Sequence, residues 1–478
     1  MSIFEITTKS SKSLARTGIL SLPNGKVQTP VFMAIGTIGS VKSLTNEDLI
    51  RLNAEIILGN TYHLWLRPGM QIIARSRGLH KFIAWDRPIL TDSGGFQAWS
   101  LAKNRKFTEA GVLFQSNING ETRLLSPEKS MQIQTILGSD IALVLDHVVN
   151  AVSDKNIAKD AMERTFRWAK RSKLEFERLK KDGINLSFLD SQYLKMPKPD
   201  KFGKVPKLAM RKFDNLLTSL QDLYILNKNQ VSLSSLSLEM VKKGYLLNQN
   251  LPDKISQTNE FDIQKSQEIN EEYNQFLQEI SENSQKISEY QPNQNRLLFG
   301  IPQGAQFQDL RRESAEMTKS LGFPGYCIGG VAQGGEPEEV MYSQVLSQIE
   351  ILETEKPKHL LGVGTPKDIL EMVKRGIDMF DCVYPTRNAR HGSLFYWKNR
   401  ENFEYETIKI KSQKYQTDFT AINQNSNLSE LKVYTKAYLN HLFRSQELLA
   451  YRLATLHNLE FYYDWTEEIR KGIREGRI

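Results

Sequence analysis

The sequence predicts an α/β protein built on a (β/α)8 barrel of the TIM type, and three observations carry that prediction. Eight short apolar runs recur along the 478 residues, most of them ending in Gly, Asp or Gln. Helical patterns with defined start and stop residues lie between many of these runs. Hydrophobic residues make up 40% of the chain, enough for one large core. Continuous β-rich apolar runs suit parallel strands buried on both faces, and their alternation with helices suits a barrel. An open doubly wound sheet is the rival arrangement. Both place a site at the carboxyl ends of the strands.

The first four runs are PVFMAIG (30–36), EIILGN (55–60), PILTDSGG (88–95) and DIALVLD (140–146). Before the fourth, LSPEKSMQIQTILG offers Ser126 as helix N-cap, Pro127 at the first helical position and Gly138 as the stop. The last four runs are RLLFGIPQG (296–304), YCIGG (326–330), HLLGVG (359–364) and DMFDCV (378–383). TPKDILEMVKRG repeats the helix scheme with Thr365, Pro366 and Gly376. Between the two sets, residues 183–295 turn rich in Asn, Gln, Ser, Lys and Glu, with only a thin apolar stripe at Phe276, Leu277 and Ile280. The expectation is a barrel formed by 1–182 and 296–396, interrupted by an insertion at 183–295 that is partly helical or disordered. A C-terminal segment, 397–478, ends in helical text from 428 to 473.

Composition narrows the function. No run of about 18 apolar residues occurs, so no membrane span is expected. The start MSIFEITTKSSKSLARTG lacks the apolar centre of a signal peptide. Two cysteines, Cys327 and Cys382, fit a reducing compartment, and a cytoplasmic location follows as the expectation. A net charge of +8 favours an anionic partner such as nucleic acid.

Polar residues gather where the strands should end. Asp92, in LTDSGGFQ, is followed by glycines that let a flat ligand approach the backbone. Asp146, Gln303 and Gly330 stand at equivalent ends of three other strands, and Asp381 ends the last. Converging donors and acceptors suit a planar heterocycle, with Phe96 available to stack. Asp92 and Asp381 could divide labour as nucleophile and proton-transfer group, the logic of a retaining glycosyl transfer. Arg387 and Arg390 would hold phosphates or base edges; the plain alternative is surface salt bridges.

TPVFMAIGTIGSVKSL, GNTYHLWLRPG, LTDSGGFQ, LGSDIALVLD, GVGTPKD and MFDCVYPTRNARHG together resemble the tRNA-guanine transglycosylase family, the queuine tRNA-ribosyltransferases. The resemblance covers most of the chain outside the insertion. It implies a barrel enzyme, a pentosyltransferase, that replaces guanine at the anticodon wobble position with a 7-deazaguanine base, preQ1 or queuine, through a covalent enzyme–RNA intermediate. Asp381 is then the nucleophile on the ribose anomeric carbon and Asp92 the general acid/base. Asp92, Ser93, Gly94, Gly95, Phe96, Asp146, Gln303 and Gly330 would hold the base. Gly362, Val363, Gly364, Thr365, Pro366, Lys367 and Asp368 would contact RNA. Thr386, Arg387, Asn388, Ala389 and Arg390 would help read the wobble region. The partners implied are tRNA with guanine at the wobble position and a second copy of the chain in a homodimer.

Two departures from the family pattern stand out. The family's zinc site is Cys-x-Cys-x-x-Cys with a distant His, and here Ser426, Leu428 and Leu431 occupy the cysteine positions, leaving His457 alone. No cofactor is therefore expected, with leucine packing in place of the metal. In LDHV, Val148 stands where bacterial members often carry Cys, and IGGVAQGGE (328–336) is one residue longer than the family's turn, with Gly334 and Gly335. Members that take queuine pair a Val with a Gly at these places, and that pairing, not the added residue, leans toward queuine over preQ1. A non-catalytic tRNA-binding subunit is the rival function, and the presence of both Asp92 and Asp381 argues against it. An archaeosine-type enzyme would need a further C-terminal RNA-binding domain.

Overall fold

The computed structural model describes residues 3–101, 104–184, 293–331 and 338–478. Eight parallel strands form its centre: β1 (Val31–Gly36), β2 (Ile57–Gly59), β3 (Ile89–Thr91), β4 (Ile141–Leu143), β5 (Leu297–Phe299), β6 (Tyr326–Ile328), β7 (Lys358–Leu360) and β8 (Met379–Asp381). Their order is β5-β4-β3-β2-β1-β8-β7-β6. The remaining seam closes through a parallel bridge from Gly300 to Tyr326, where the Cys327 amide donates to the Gly300 carbonyl at 2.8 Å. A Cβ on Gly300 would come within 2.4 Å of the Phe323 ring, so the seam closes over bare backbone. The sheet is the expected barrel rather than an open doubly wound sheet.

Most of the strands are shorter than the apolar runs that announced them. Val144 and Leu145, for example, are buried yet follow the last paired residue of β4. Val144 still donates to the Phe299 carbonyl of β5 at 3.2 Å, and Leu145 then carries the chain to Asp146 at the barrel mouth. Both expected caps form. Ser126 accepts from the Lys129 amide at 3.0 Å ahead of the helix Pro127–Leu137, which stops at Gly138 (φ 69°). Thr365 accepts from the Asp368 amide at 3.2 Å ahead of the helix Pro366–Lys374, which ends two residues before Gly376.

Two three-stranded antiparallel sheets lie outside the expected pattern. One, Phe4–Lys9, Arg16–Leu22 and Gly25–Thr29, leads into β1. The other, Arg105–Phe107, Val112–Gln115 and Thr122–Leu125, follows β3. The first ties itself to the amino ends of the strands. Arg16 grips Asp378 with two hydrogen bonds of 2.8 and 2.7 Å, and Asp378 also accepts from the Lys358 amide at 2.8 Å. Asp140 plays the matching part before β4, accepting from the Asn24 and Ile89 amides. These carboxylates are fully buried and wholly engaged by donors, so they belong to the scaffold.

A hairpin, Ser393–Asn399 with Glu404–Lys409, begins four residues before the expected start of the C-terminal segment at 397, and the segment continues through helices Ser429–Val433, Lys436–Arg444 and Leu448–Arg474. The helical text from 428 is thus three helices. Phe461 and Trp465 of the last one pack on Trp397, and the Tyr462 hydroxyl donates to the Gly364 carbonyl at 2.6 Å. That bond anchors the loop after β7. Almost all of the expected insertion, and the turn residues Gly334 and Gly335, lie outside the described residues. Among the described residues, no helix is long and apolar enough to cross a membrane.

Candidate active site

The barrel mouth collects the carboxylates that follow β3, β4 and β8. Asp92 emerges from β3 and is held by its neighbours after β2. The Thr61 amide donates to its Oδ1 at 2.8 Å, and the Asn60 side-chain amide donates to its Oδ2. Enclosure pushes the Asp92 carboxyl up to about 7, opposed by the Thr61 amide and reinforced by the nearby charge of Asp381. Asp381 itself is 7% exposed at the end of β8. Its Oδ1 lies 2.8 Å from His359 Nε2 and accepts from the Gly362 amide at 3.3 Å. One acid holding a proton near neutral pH beside a second carboxylate is the arrangement that acid/base work with a nucleophile requires.

A second group of residues forms a polar cluster beside them. Ser93 Oγ donates to Asp146 Oδ1 at 3.0 Å, and Gln303 Nε2 donates to Oδ2 at 2.6 Å. Burial raises the Asp146 carboxyl, opposed by these two donors. A carboxylate has about four lone-pair sites, so Asp146 retains capacity for donors of a ligand. Two glycines let this cluster pack tightly against bare backbone. At Gly330 (φ 65°) a Cβ would sit 2.4 Å from Gln303 Oε1, and at Gly95 it would sit 2.9 Å from the Asp146 carbonyl. Gly94 (φ 81°) turns the chain between Asp92 and the helix Gly95–Ser100. Phe96 stands 47% exposed at the rim, its ring 5.6 Å from that of Trp99.

The expected RNA-contact residues divide by exposure. Lys367 is exposed and pairs with Glu338 at 2.5 Å, while Asp368 accepts from Thr365 and from the Tyr342 hydroxyl. Val363, Pro366, Thr386 and Ala389 are buried and shape the backbone instead. A Cβ at Gly364 would sit 2.2 Å from the Cys382 Cβ, so that loop passes tightly over β8. Arg387 is exposed and Arg390 half-buried on the helix Tyr384–Arg390, where Asn388 and Arg390 donate to helix carbonyls. Neither arginine forms an ion pair among the described residues, and burial together with the charge of Arg387 lowers Arg390. Two unneutralised guanidinium groups beside a carboxylate mouth make an anion-seeking edge.

The residues at the family's metal positions do not fit a zinc ion. Ser426 Oγ donates to Glu460 Oε2 at 2.6 Å, and the Asn427 amide donates to Glu460 Oε1 at 2.7 Å. Leu428 and Leu431 are buried at 3% and 0% exposure. His457 is buried, spends Nε2 on the Phe395 carbonyl at 2.8 Å, and is lowered to about 4 by that burial. A tetrahedral site needs about four ligands, and this set offers no thiolate. Among the described residues no group of three or more His, Cys, Asp and Glu could hold a metal.

Four contributors to the mouth were not singled out in the sequence as site residues: Asn60, Thr61, His359 and Cys327. Asn60 and Thr61 follow Gly59 in GNTYHL, where a polar pair after an apolar run was the available signal. Cys327 sits inside an apolar run and His359 opens one, so neither stands at the carboxyl end where site residues are expected.

Comparison with known proteins supplies an independent line. A family model described as TGT: Queuine tRNA-ribosyltransferase matches residues 10–190 and 255–478, leaving a gap inside the expected insertion. Proteins named queuine tRNA-ribosyltransferase are similar along nearly their whole length. That of Desulforapulum autotrophicum is 35% identical over 478 residues, covering 100% of this chain and 96% of the relative. That of Neisseria meningitidis serogroup B is 36% identical, covering 100% and 96%. That of Francisella tularensis subsp. novicida is 37% identical, covering 99% and 95%.

Proposed function

The chain belongs to the queuine tRNA-ribosyltransferase family, and from that premise we infer how its own residues carry out a base exchange on tRNA. It is a tRNA-guanine transglycosylase, a pentosyltransferase. The observation that carries the residue-level reading is the pair of carboxylates after β3 and β8, one of them held near 7 by enclosure. Asp381 attacks C1′ of the wobble guanosine. The new oxygen–C1′ bond forms as the C1′–N9 bond breaks, and the electron pair leaves on guanine, which takes the proton of Asp92. The incoming base then gives a proton to Asp92 and bonds C1′, and the electron pair of the broken ester returns to Asp381. A group near 7 serves both directions because it is populated in both protonation states at neutral pH.

The base pocket is assigned to Ser93, Gly94, Gly95, Asp146, Gln303 and Gly330, with Phe96 stacking at the rim. Guanine presents N1–H and an amino group as donors, and Asp146 is the acceptor opposite them. A 7-deazaguanine shares that edge, which is how one pocket can accept both bases in turn. Val148 beside Asp146 favours queuine over preQ1 as the incoming base. The loop 362–368 and the helix carrying Arg387 and Arg390 hold the anticodon region. Zinc is no part of the protein in this reading, and Glu460 with the two leucines ties the C-terminal segment instead. The enzyme is proposed to be a cytoplasmic homodimer.

The test is covalent trapping. Wild-type protein incubated with tRNA should yield a denaturation-resistant adduct, and Asp381→Asn should bind tRNA yet yield none, because an amide is no nucleophile here. A normal adduct yield from that variant removes Asp381 from the reaction.

A further inference from the structure

We propose that His359 is a positioning residue that fixes which oxygen of Asp381 attacks, and that Cys327 fixes the imidazole tautomer that allows it. The proposal rests on the base-exchange reading, within which it assigns a role. The three side chains stand in line across adjacent strands. Cys327 on β6 and His359 on β7 are register partners, and His359 in turn pairs with Met379, two residues before Asp381 on β8. Residues two apart on a strand face the same side, so the three meet in the barrel interior. Cys327 Sγ lies 3.6 Å from His359 Nδ1, and His359 Nε2 lies 2.8 Å from Asp381 Oδ1. Cys327 and His359 have no exposed surface.

The chemistry sets the direction of these bonds. Burial holds the Cys327 thiol well above its ordinary value, with the charge of Asp381 adding to the effect, so the sulfur keeps its proton. A thiol facing Nδ1 donates to it, which makes Nδ1 the acceptor and leaves the ring proton on Nε2, aimed at Asp381. The Gly362 amide donates to the same Oδ1. Oδ2 accepts no hydrogen bond from the described residues and is the oxygen presented to the sugar.

Each half of the exchange uses this asymmetry. When the Oδ2–C1′ bond forms and the C1′–N9 bond breaks, Oδ1 becomes the ester carbonyl and keeps its two donors. When the incoming base displaces the ester, the Oδ2–C1′ electron pair returns to the carboxylate, and the same donors stabilise the returning charge. His359 gives up no proton in either half. A histidine that merely fills an interior layer is the competing explanation.

Two variants separate these explanations, because His359→Gln and His359→Asn carry the same amide but only Gln can bring it to the place of Nε2. The readouts are the single-turnover rate of adduct formation and the KM for tRNA, with full-length protein. His359→Gln should stay within about threefold of wild type, while His359→Asn should slow the rate roughly 10- to 100-fold at unchanged KM. Cys327→Ala should slow the wild type by about two- to tenfold and leave His359→Gln unaffected, since Gln has no tautomer to fix. Equal rates for the Gln and Asn variants, both fast or both slow, would overturn the proposal. Failure of the wild type to form any adduct would instead overturn the base-exchange reading, and this proposal with it.

Discussion

Asp92 links the chemistry to the stability of the fold. Its carboxyl is raised from 3.8 to about 7 in the folded protein, so between those values the native state binds the extra proton. Stability contributed by Asp92 is therefore complete below pH 3.8 and is lost as pH rises through 7, by no more than about 4 kcal/mol. Asp92→Asn should abolish base exchange while raising Tm, with a gain that grows from pH 4 to pH 7 and then levels. Thermal melts of both proteins across that range check it, and a gain independent of pH contradicts the assignment. Asp92, Asp146, Gln303 and Asp381 were legible in the sequence because each is a polar residue at the end of an apolar run. His359 and Cys327 were not, because HLLGVG and YCIGG read as core. Only the register of β6 on β7 shows that they meet.

At the level of elements, the helix Tyr384–Arg390 and the C-terminal segment make separable predictions. Arg387→Ala or Arg390→Ala should weaken tRNA binding and lower its salt dependence by about one in log–log slope for each phosphate that is no longer neutralised. Unchanged binding by both variants would return these arginines to the role of surface charges. In the C-terminal segment, purified protein should contain no stoichiometric zinc, and a chelator should change neither Tm nor activity. Leu431→Ala should cost about 2–5 kcal/mol, because a fully buried leucine stands where the metal pattern has a ligand. One tightly held zinc per chain in elemental analysis contradicts this account. The caps at Ser126 and Thr365 were legible because the Ser/Thr-Pro start is a local signal. The two three-stranded sheets were not. Strands such as FEITTK alternate exposed and buried residues, and RKF is largely exposed, so neither offers a continuous apolar run.

For the whole molecule, the barrel closes without the segment between 184 and 293. The helix Lys155–Asp182 ends on one side, and β5 enters the sheet beside β4 on the other. Arg296 seals that entry, its guanidinium 5.3 Å from the Phe176 ring, so it belongs with the barrel rather than with the insertion. Replacing 185–292 with a short flexible linker should leave base exchange measurable. Complete loss in a folded deletion variant would place the insertion in the active machinery. The barrel was legible from eight spaced runs, since burial on both faces forces each strand to be continuously apolar. Its closure at Gly300 was not, because it depends on a missing side chain. The most direct test of the central claim is incorporation of labelled guanine into tRNA by the purified full-length chain. The account predicts label at the wobble position of tRNAs that carry guanine there, none in tRNAs that carry another base, and none with Asp381→Asn. Absence of exchange with wild-type protein, or label distributed independently of the wobble base, contradicts it.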